Sequence, residues 1–271
     1  MGSSFFNTKN INNLIEISRN AGRAILEIYE TNFDVDIKND QSPLTKADLL
    51  SDKIISQALK KIDSSIPILS EESSKIPFSE RSRWKEYWLV DPLDGTKEFI
   101  KKNGEFTTNI ALIRGNRPIF GIIHAPAKNE TYWGVKGIGS FFIKGDSLND
   151  AQKISSSCET NNKLRIVTSR SHPSANLKLI LDKLDSFKLI NIGSSLKFCL
   201  VAKGEADCYP RLGPTCEWDT AAGEIIAEAA GAMVTNFDDK PLTYNKKDHY
   251  INPDFLACRN SDYKEMFLSK I

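Results

Sequence analysis

The chain has 271 residues, 40% of them hydrophobic and 26% charged, with 36 Lys+Arg against 35 Asp+Glu. That composition is ordinary for a soluble globular protein, long enough to bury a sizeable core as one large domain or as two sharing a cleft. The net charge of +1 lacks the basic excess by which nucleic-acid polymers are held. The five cysteines form no CxxC pair, which argues against a disulfide framework or a zinc site and fits a reducing cytoplasm.

Met1 to Phe6 carries neither a basic segment nor a long apolar run, so no secretory leader is expected, and no apolar stretch reaches the ~18 residues of a membrane span. Ile11, Leu14, Ile15, Ile25, Ile28 and Tyr29 recur at helical spacing over 11–29. The polar segment 32–43 reads as a loop or ragged hairpin. A second amphipathic helix is expected over 45–62, with Thr45 and Asp48 as a capping box. Two short apolar runs, 66–69 and 87–90, read as buried strands whose C-terminal ends carry acids. Strands over 109–113, 119–124 and 131–135 follow, joined by Gly, Asn and Pro turns, and a further hairpin runs towards Phe141 and Phe142.

The second half alternates. Strands are expected at 164–168, 189–192 and 206–209, and helices at about 174–184, 194–202 and 218–230, with 233–235 and 255–257 completing a sheet. This is a mixed α/β pattern. The polar, Ser- and Asn-rich stretch 150–162 is the expected boundary, giving an N-terminal α+β unit over 1–160 and a C-terminal α/β unit over 161–271.

The chemistry concentrates in acids. Asp91-Pro92-Leu93-Asp94-Gly95-Thr96 follows an apolar strand directly. Two acids three apart, with Pro fixing φ and Gly allowing a crowded backbone, describe a tight turn that aims both carboxylates into one space. Glu71 also follows a buried strand, at the end where open α/β sheets place ligands. Acids converging from separate strands repel unless a cation lies between them, and oxygen-only ligands favour Mg²⁺, Mn²⁺ or Ca²⁺. Asp219 opens a helix start of small residues, where it serves equally as a cap or as part of a site. Asp48 has the same two readings, and as a functional acid it would hold the hydroxyl of Thr96. Lys197, after the small residues Gly193-Ser194-Ser195, and Arg170 are candidate partners for an anion.

Three segments carry a strong family resemblance: Leu69-Ser70-Glu71-Glu72-Ser73, Trp88-Leu89-Val90-Asp91-Pro92-Leu93-Asp94-Gly95-Thr96-Lys97-Glu98-Phe99, and Trp218-Asp219-Thr220-Ala221-Ala222-Gly223. In order and spacing they resemble the inositol monophosphatase superfamily, lithium-sensitive and Mg²⁺-dependent, over nearly the whole chain. Lys97-Glu98-Phe99, Ser169-Arg170-Ser171-His172, Gly193 to Phe198 and Tyr209-Pro210-Arg211 resemble its 3'(2'),5'-bisphosphate nucleotidase branch.

The resemblance implies a layered αβαβα fold and hydrolysis of adenosine 3',5'-bisphosphate, a small-molecule substrate, by a cytoplasmic enzyme of sulfate assimilation. It implies two or three Mg²⁺ ions held by Glu71, Asp91, Asp94, Asp219 and the carbonyl of Leu93. Thr96, Asp48 and Glu71 would poise the attacking water. Gly95, Thr96 and Asp219 would meet the substrate, and Ser169, His172, Gly193 and Lys197 would hold the nucleotide. The rival expectations are an inositol or sugar phosphatase of the same superfamily and, more remotely, an inactive nucleotide-binding sensor.

Overall fold

A computed structural model of the chain describes residues 6–37, 43–157, 163–171, 174–184 and 186–269. Helix α1 (Thr8–Tyr29) starts at Asn7, whose side chain accepts from the amide of Asn10. A small hairpin of β1 (Val35–Ile37) and β2 (Pro43–Thr45) leads into α2 (Lys46–Ile62). Then come β3 (Ile68–Ser70), a short α3 (Phe78–Arg81), β4 (Glu86–Asp94) and α4 (Thr96–Ile100). Strands β5 (Thr107–Arg114), β6 (Arg117–Ala125), β7 (Glu130–Val135), β8 (Gly139–Lys144) and β9 (Gln152–Ile154) complete a seven-stranded sheet in simple sequential order. Only β3 and β4 pair in parallel there; the rest is an antiparallel meander.

The second half supplies β10 (Leu164–Ser169), α5 (Ala175–Leu181), β11 (Phe187–Ile192), α6 (Leu196–Ala202), β12 (Cys208–Arg211), α7 (Glu217–Ala229), β13 (Met233–Asn236), β14 (Phe255–Cys258) and α8 (Ser261–Leu268). Its five strands lie in the order β11-β10-β12-β14-β13, parallel among the first three and antiparallel beyond.

Period-two alternation builds the layers. Along β4 and β5, Trp88, Val90, Ile110 and Leu112 face one side of the large sheet and pack with Leu14, Ile15, Ile55 and Leu59 of α1 and α2. Tyr87, Leu89, Ala111 and Ile113 face the other side, with Leu196 and Phe198 of α6 and Ala221, Ala222 and Ile226 of α7. The same middle layer packs on Val167, Tyr209, Val234 and Phe255 of the small sheet, whose outer face is covered by Leu177, Ile180, Tyr263 and Phe267 of α5 and α8. The order is therefore helix, sheet, helix, sheet, helix, the αβαβα arrangement expected from the sequence.

Two glycines set how deeply the middle layer seats. A Cβ at Gly121 of β6 would lie 2.7 Å from the carbonyl oxygen and 2.8 Å from the Cα of Ala222. One at Gly134 of β7 would lie 2.7 Å from the Cα of Ile226. The backbone of α7 thus rests directly on the backbone of the large sheet. Asp219 lies in the first turn of α7, so the depth of this seat fixes the height of that carboxylate.

Local differences from the sequence reading are few. The 174–184 helix stops at Leu181, capped at Asp182. The 206–209 strand is displaced to Cys208–Arg211, which carries Arg211 to the end of the sheet. Helices α3 and α8 are additions. Instead of a tight turn at 91–96, β4 runs on through Asp94 with a bulge: Asp91 opposes Asn109 while Asp94 opposes Thr107, so the β4 strand carries one extra residue.

Candidate active site

The bulge does the aiming that a turn was expected to do. It rotates Asp91 and Asp94 to the same side, and Pro92 is tolerated because β3 pairs only as far as Val90. Ser51 of α2 donates to the carbonyl of Pro92 at 2.7 Å, pinning the bulged segment. Gly95 follows with φ +91°, a left-handed conformation that admits glycine without strain. A Cβ there would meet the carbonyl of Glu105 at 3.1 Å and Ser194 Cβ at 3.2 Å.

Asp91, Asp94 and Asp219 each present a carboxylate oxygen, and these oxygens lie within 4.8 Å of one another. Asp91 is buried and its Oδ1 accepts from the amide of Leu93 at 3.1 Å. Asp94 Oδ2 accepts from the amide of Ser195 at 2.6 Å and from Asn109 Nδ2 at 3.4 Å. Asp219 Oδ2 accepts from the amide of Cys216 at 2.8 Å, so it is a capping residue and a member of the cluster at once. Glu71, in the short 3₁₀ turn after β3, lines the same cleft outside this tight trio.

Electrostatics follow from packing so many acids together. Burial, then the charges of Glu71, Asp94 and Asp219, push the Asp91 carboxyl well above its usual range. Burial also raises Asp94. Burial, reinforced by Asp94 and Glu71, pushes Asp219 up to about 8. Such a group is costly as free carboxylates and becomes favourable around a cation. The donors are all oxygens, two from β4 and one from α7, which suits a hard divalent ion such as Mg²⁺.

Asp48 makes the capping contacts and also reaches Thr96. Its Oδ2 accepts from the amide and hydroxyl of Thr45 at 2.8 and 2.7 Å, closing the capping box of α2. Its Oδ1 accepts from the Thr96 hydroxyl at 3.2 Å. The Thr96 hydroxyl also lies 3.3 Å from the Leu93 carbonyl, and Leu93, Gly95 and Thr96 line the cleft.

Ser169, at the end of β10, and Lys197 line the same cleft. Lys197 is buried, its ammonium donates to the carbonyl of Ser194, and it lies 5.5 Å from the centroid of the Tyr209 ring. Burial, with Arg211 adding to it, lowers its pKa to about 8 against the opposing pull of Asp94. The amide of Ser195 at the start of α6 is turned to an anion as expected, but that anion is the protein's own Asp94.

Two of the expected binding residues have structural contacts of their own. A Cβ at Gly193 would come within 2.6 Å of both the Glu105 carbonyl and Glu98 Cγ, so the bare glycine lets the turn before α6 seat against α4 and the segment leading into β5. Arg170 is occupied by a two-point ion pair with Glu105, at 2.7 and 2.8 Å, and by the Asn191 carbonyl at 2.6 Å. His172 lies outside the described residues.

The structure also brings in residues that sequence reasoning left without a role. Arg211 lines the cleft beside Lys197, donating to Thr215 Oγ1 and the Pro214 carbonyl, and no carboxylate among the described residues lies within ion-pair distance of it. Asn109 and Ser195 tie Asp94 to the opposite half: Ser195 Oγ donates to Asn109 Oδ1 at 2.7 Å and meets Thr107 Oγ1 at 2.8 Å. Glu98, buried on α4, also lines the cleft.

A five-layered αβαβα fold with acids gathered at one cleft defines a class, and the chain belongs to the inositol monophosphatase family, whose pattern matches residues 7–270. Within it, the similarity runs to proteins named 3'(2'),5'-bisphosphate nucleotidase CysQ. That of Escherichia coli strain K12 is 43% identical over 251 residues, covering 90% of this chain and 98% of that protein. That of Buchnera aphidicola is 40% identical over 268 residues, covering 94% and 97%. Among solved structures, CysQ from Bacteroides thetaiotaomicron matches with a TM-score of 0.83 at 38% identity, covering 95% of this chain and 100% of that one. The suppressor protein suhB of Bartonella henselae, 24% identical with a TM-score of 0.80, shares the fold.

Proposed function

We propose that the protein is a Mg²⁺-dependent 3'(2'),5'-bisphosphate nucleotidase that hydrolyses adenosine 3',5'-bisphosphate to AMP and phosphate. The observation that carries this reading is that one cleft holds an acid cluster together with two cations, Lys197 and Arg211. A bisphosphate offers one phosphate to the metal-binding acids and one to the cations, whereas an inositol or sugar monophosphate leaves one of the two groups without a partner. The similarity to CysQ nucleotidases over 90% or more of the chain supports the same substrate.

Glu71, Asp91, Asp94, Asp219 and the Leu93 carbonyl are the residues that would hold two or three Mg²⁺ ions. Bound there, Mg²⁺ supplies a water of lowered pKa and positive charge for the leaving ribose oxygen. The chain's own groups do the positioning. The Thr96 hydroxyl, held by Asp48, orients the attacking water, with Glu71 on its other side. The amides at Gly95 and Thr96 donate to phosphate oxygens. Ser169 and Lys197 hold the nucleotide beyond the reacting phosphate, with His172 assigned the same part by resemblance. Sensitivity to lithium and a place in sulfur metabolism follow from the same resemblance. No described helix is long and apolar enough to cross a membrane, in keeping with a cytoplasmic location.

The test is product identity. Adenosine 3',5'-bisphosphate incubated with the protein and Mg²⁺ should give 5'-AMP and one equivalent of phosphate, resolved from 3'-AMP by chromatography. Formation of 3'-AMP would reverse the assignment of the two ends of the cleft. Binding without phosphate release would identify a sensor instead.

A further inference from the structure

Glu98 is the one cleft acid whose carboxyl group the rest of the site does not explain. It is 3% exposed, it lines the cleft, and its Oε1 is enclosed with no hydrogen-bond partner among the described residues. The neighbouring acids all have occupations. Glu105 is spent on Arg170 and on the amide of Gly193, at 2.8 Å. Asp48 holds Thr45 and Thr96, and the three clustered aspartates face one another. A buried, unpaired carboxylate oxygen is destabilising unless something supplies a donor.

Its position indicates what that something is. Glu98 sits in α4, just beyond the end of β4 at Asp94, with its Cγ under the Gly193 turn that leads to Lys197. Its charge is felt both by Asp94, among the clustered acids, and by Lys197, the buried cation of the same cleft. In a nucleoside 3',5'-bisphosphate the part between the two phosphates is the ribose, and the free donor on that ribose, next to the reacting phosphate, is the 2'-hydroxyl. A carboxylate at this point would repel a third phosphate oxygen but accept a hydroxyl proton well.

Resting on the nucleotidase reading, we propose that Glu98 is a specificity-determining residue that accepts a hydrogen bond from the 2'-hydroxyl of the substrate ribose, so that the enzyme selects ribonucleotides over 2'-deoxyribonucleotides.

The experiment compares kcat/KM for adenosine 3',5'-bisphosphate and for its 2'-deoxy analogue, in the wild type, Glu98→Ala and Glu98→Gln. A hydrogen bond to a charged acceptor corresponds to a preference of roughly 10- to 100-fold. The wild type should favour the ribonucleotide by that factor. Glu98→Ala should collapse the ratio to near one, and Glu98→Gln, which keeps an acceptor oxygen in the same place, should retain part of it. Should Glu98→Ala fail to fold, Glu98→Gln with an unaltered unfolding midpoint carries the comparison. Equal loss on both substrates would make Glu98 a packing residue, and a wild type indifferent to the 2'-hydroxyl would overturn the proposal outright. A wild type inactive on both would instead overturn the nucleotidase reading beneath it.

Discussion

Replacing Gly121 with alanine should damage a reaction whose chemistry lies on a different element. The added Cβ would stand 2.6 Å from Ile225 Cγ2, 2.7 Å from the Ala222 carbonyl oxygen and 2.8 Å from the Ala222 Cα. Ordinary carbon contacts lie at about 3.5–4.0 Å. A side-chain methyl can turn away, but the two backbone atoms belong to α7, so the helix must retreat by roughly an ångström. Overpacking of this kind costs about 1–3 kcal/mol, which lowers the unfolding midpoint by about 2–10 °C in a chain of this length. The larger effect is on activity. Asp219 lies three residues before Ala222 on the same helix, and its carboxylate must stay within the 4.8 Å group formed with Asp91 and Asp94. A misplacement of about 1 Å costs on the order of 100-fold in rate. Phosphate release measured against Mg²⁺ concentration should therefore show a lower maximum and a higher Mg²⁺ requirement. Wild-type turnover and an unchanged melting curve in Gly121→Ala would refute the idea that this contact sets the height of Asp219.

Asp94→Asn should reduce turnover by more than about 100-fold, since changes one shell further out from a metal already reach that size, while circular dichroism shows an intact fold; near-normal activity would remove Asp94 from the metal site. Lys197→Ala should raise KM for adenosine 3',5'-bisphosphate and leave a plain monophosphate little changed, and equal weakening of both would end its assignment to the second phosphate. The Mg²⁺ concentration for half-activation should fall as pH rises from 6 to 8 and flatten above, because the Asp219 carboxyl, raised to about 8 by burial and by Asp94 and Glu71, must lose its proton before it can ligate. The sign for stability is the reverse. A carboxyl raised in the folded state stabilises it at low pH and loses that contribution as pH climbs through about 8, so without Mg²⁺ the unfolding midpoint should drop over this range, and added Mg²⁺ should restore it most at the high end. A midpoint independent of pH and Mg²⁺ would contradict the electrostatic picture of the cluster.

How much of this was legible in the sequence depends on the distance over which each feature is encoded. The acids at the ends of β3 and β4 are local statements: an apolar run, then Glu71, or Asp91 and Asp94 across a proline. The layers follow from alternation in β4 and β5 and from helical spacing in α1, α2 and α7. Asp219 was ambiguous because a helix cap and a site acid occupy the same position, and the structure shows it acting as the cap while standing in the cluster. The bulge at 91–94 was read as a turn because its defining feature, Asn109 and Thr107 opposite, lies on another strand. The docking of the Ser195 amide on Asp94 joins residues 101 apart, and no pattern within either segment announces it. Arg211 was visible as a residue but not as part of the cleft, since the strand carrying it was placed two residues early. Lys197 was found through its small-residue surroundings, yet the anion its helix start receives is internal. Glu98 stands in a segment that resembles the nucleotidase branch, but only burial and the unpartnered Oε1 give it a meaning of its own.

The most direct test of the central claim is a side-by-side measurement of kcat/KM for adenosine 3',5'-bisphosphate and inositol 1-phosphate, at one Mg²⁺ concentration and one pH. With Lys197 and Arg211 in the same cleft as the acid cluster, the nucleotide should be turned over with the higher value, and Lys197→Ala should narrow the gap. A higher value for inositol 1-phosphate in the wild type would contradict the nucleotidase assignment and leave the cleft to the wider family's sugar phosphates.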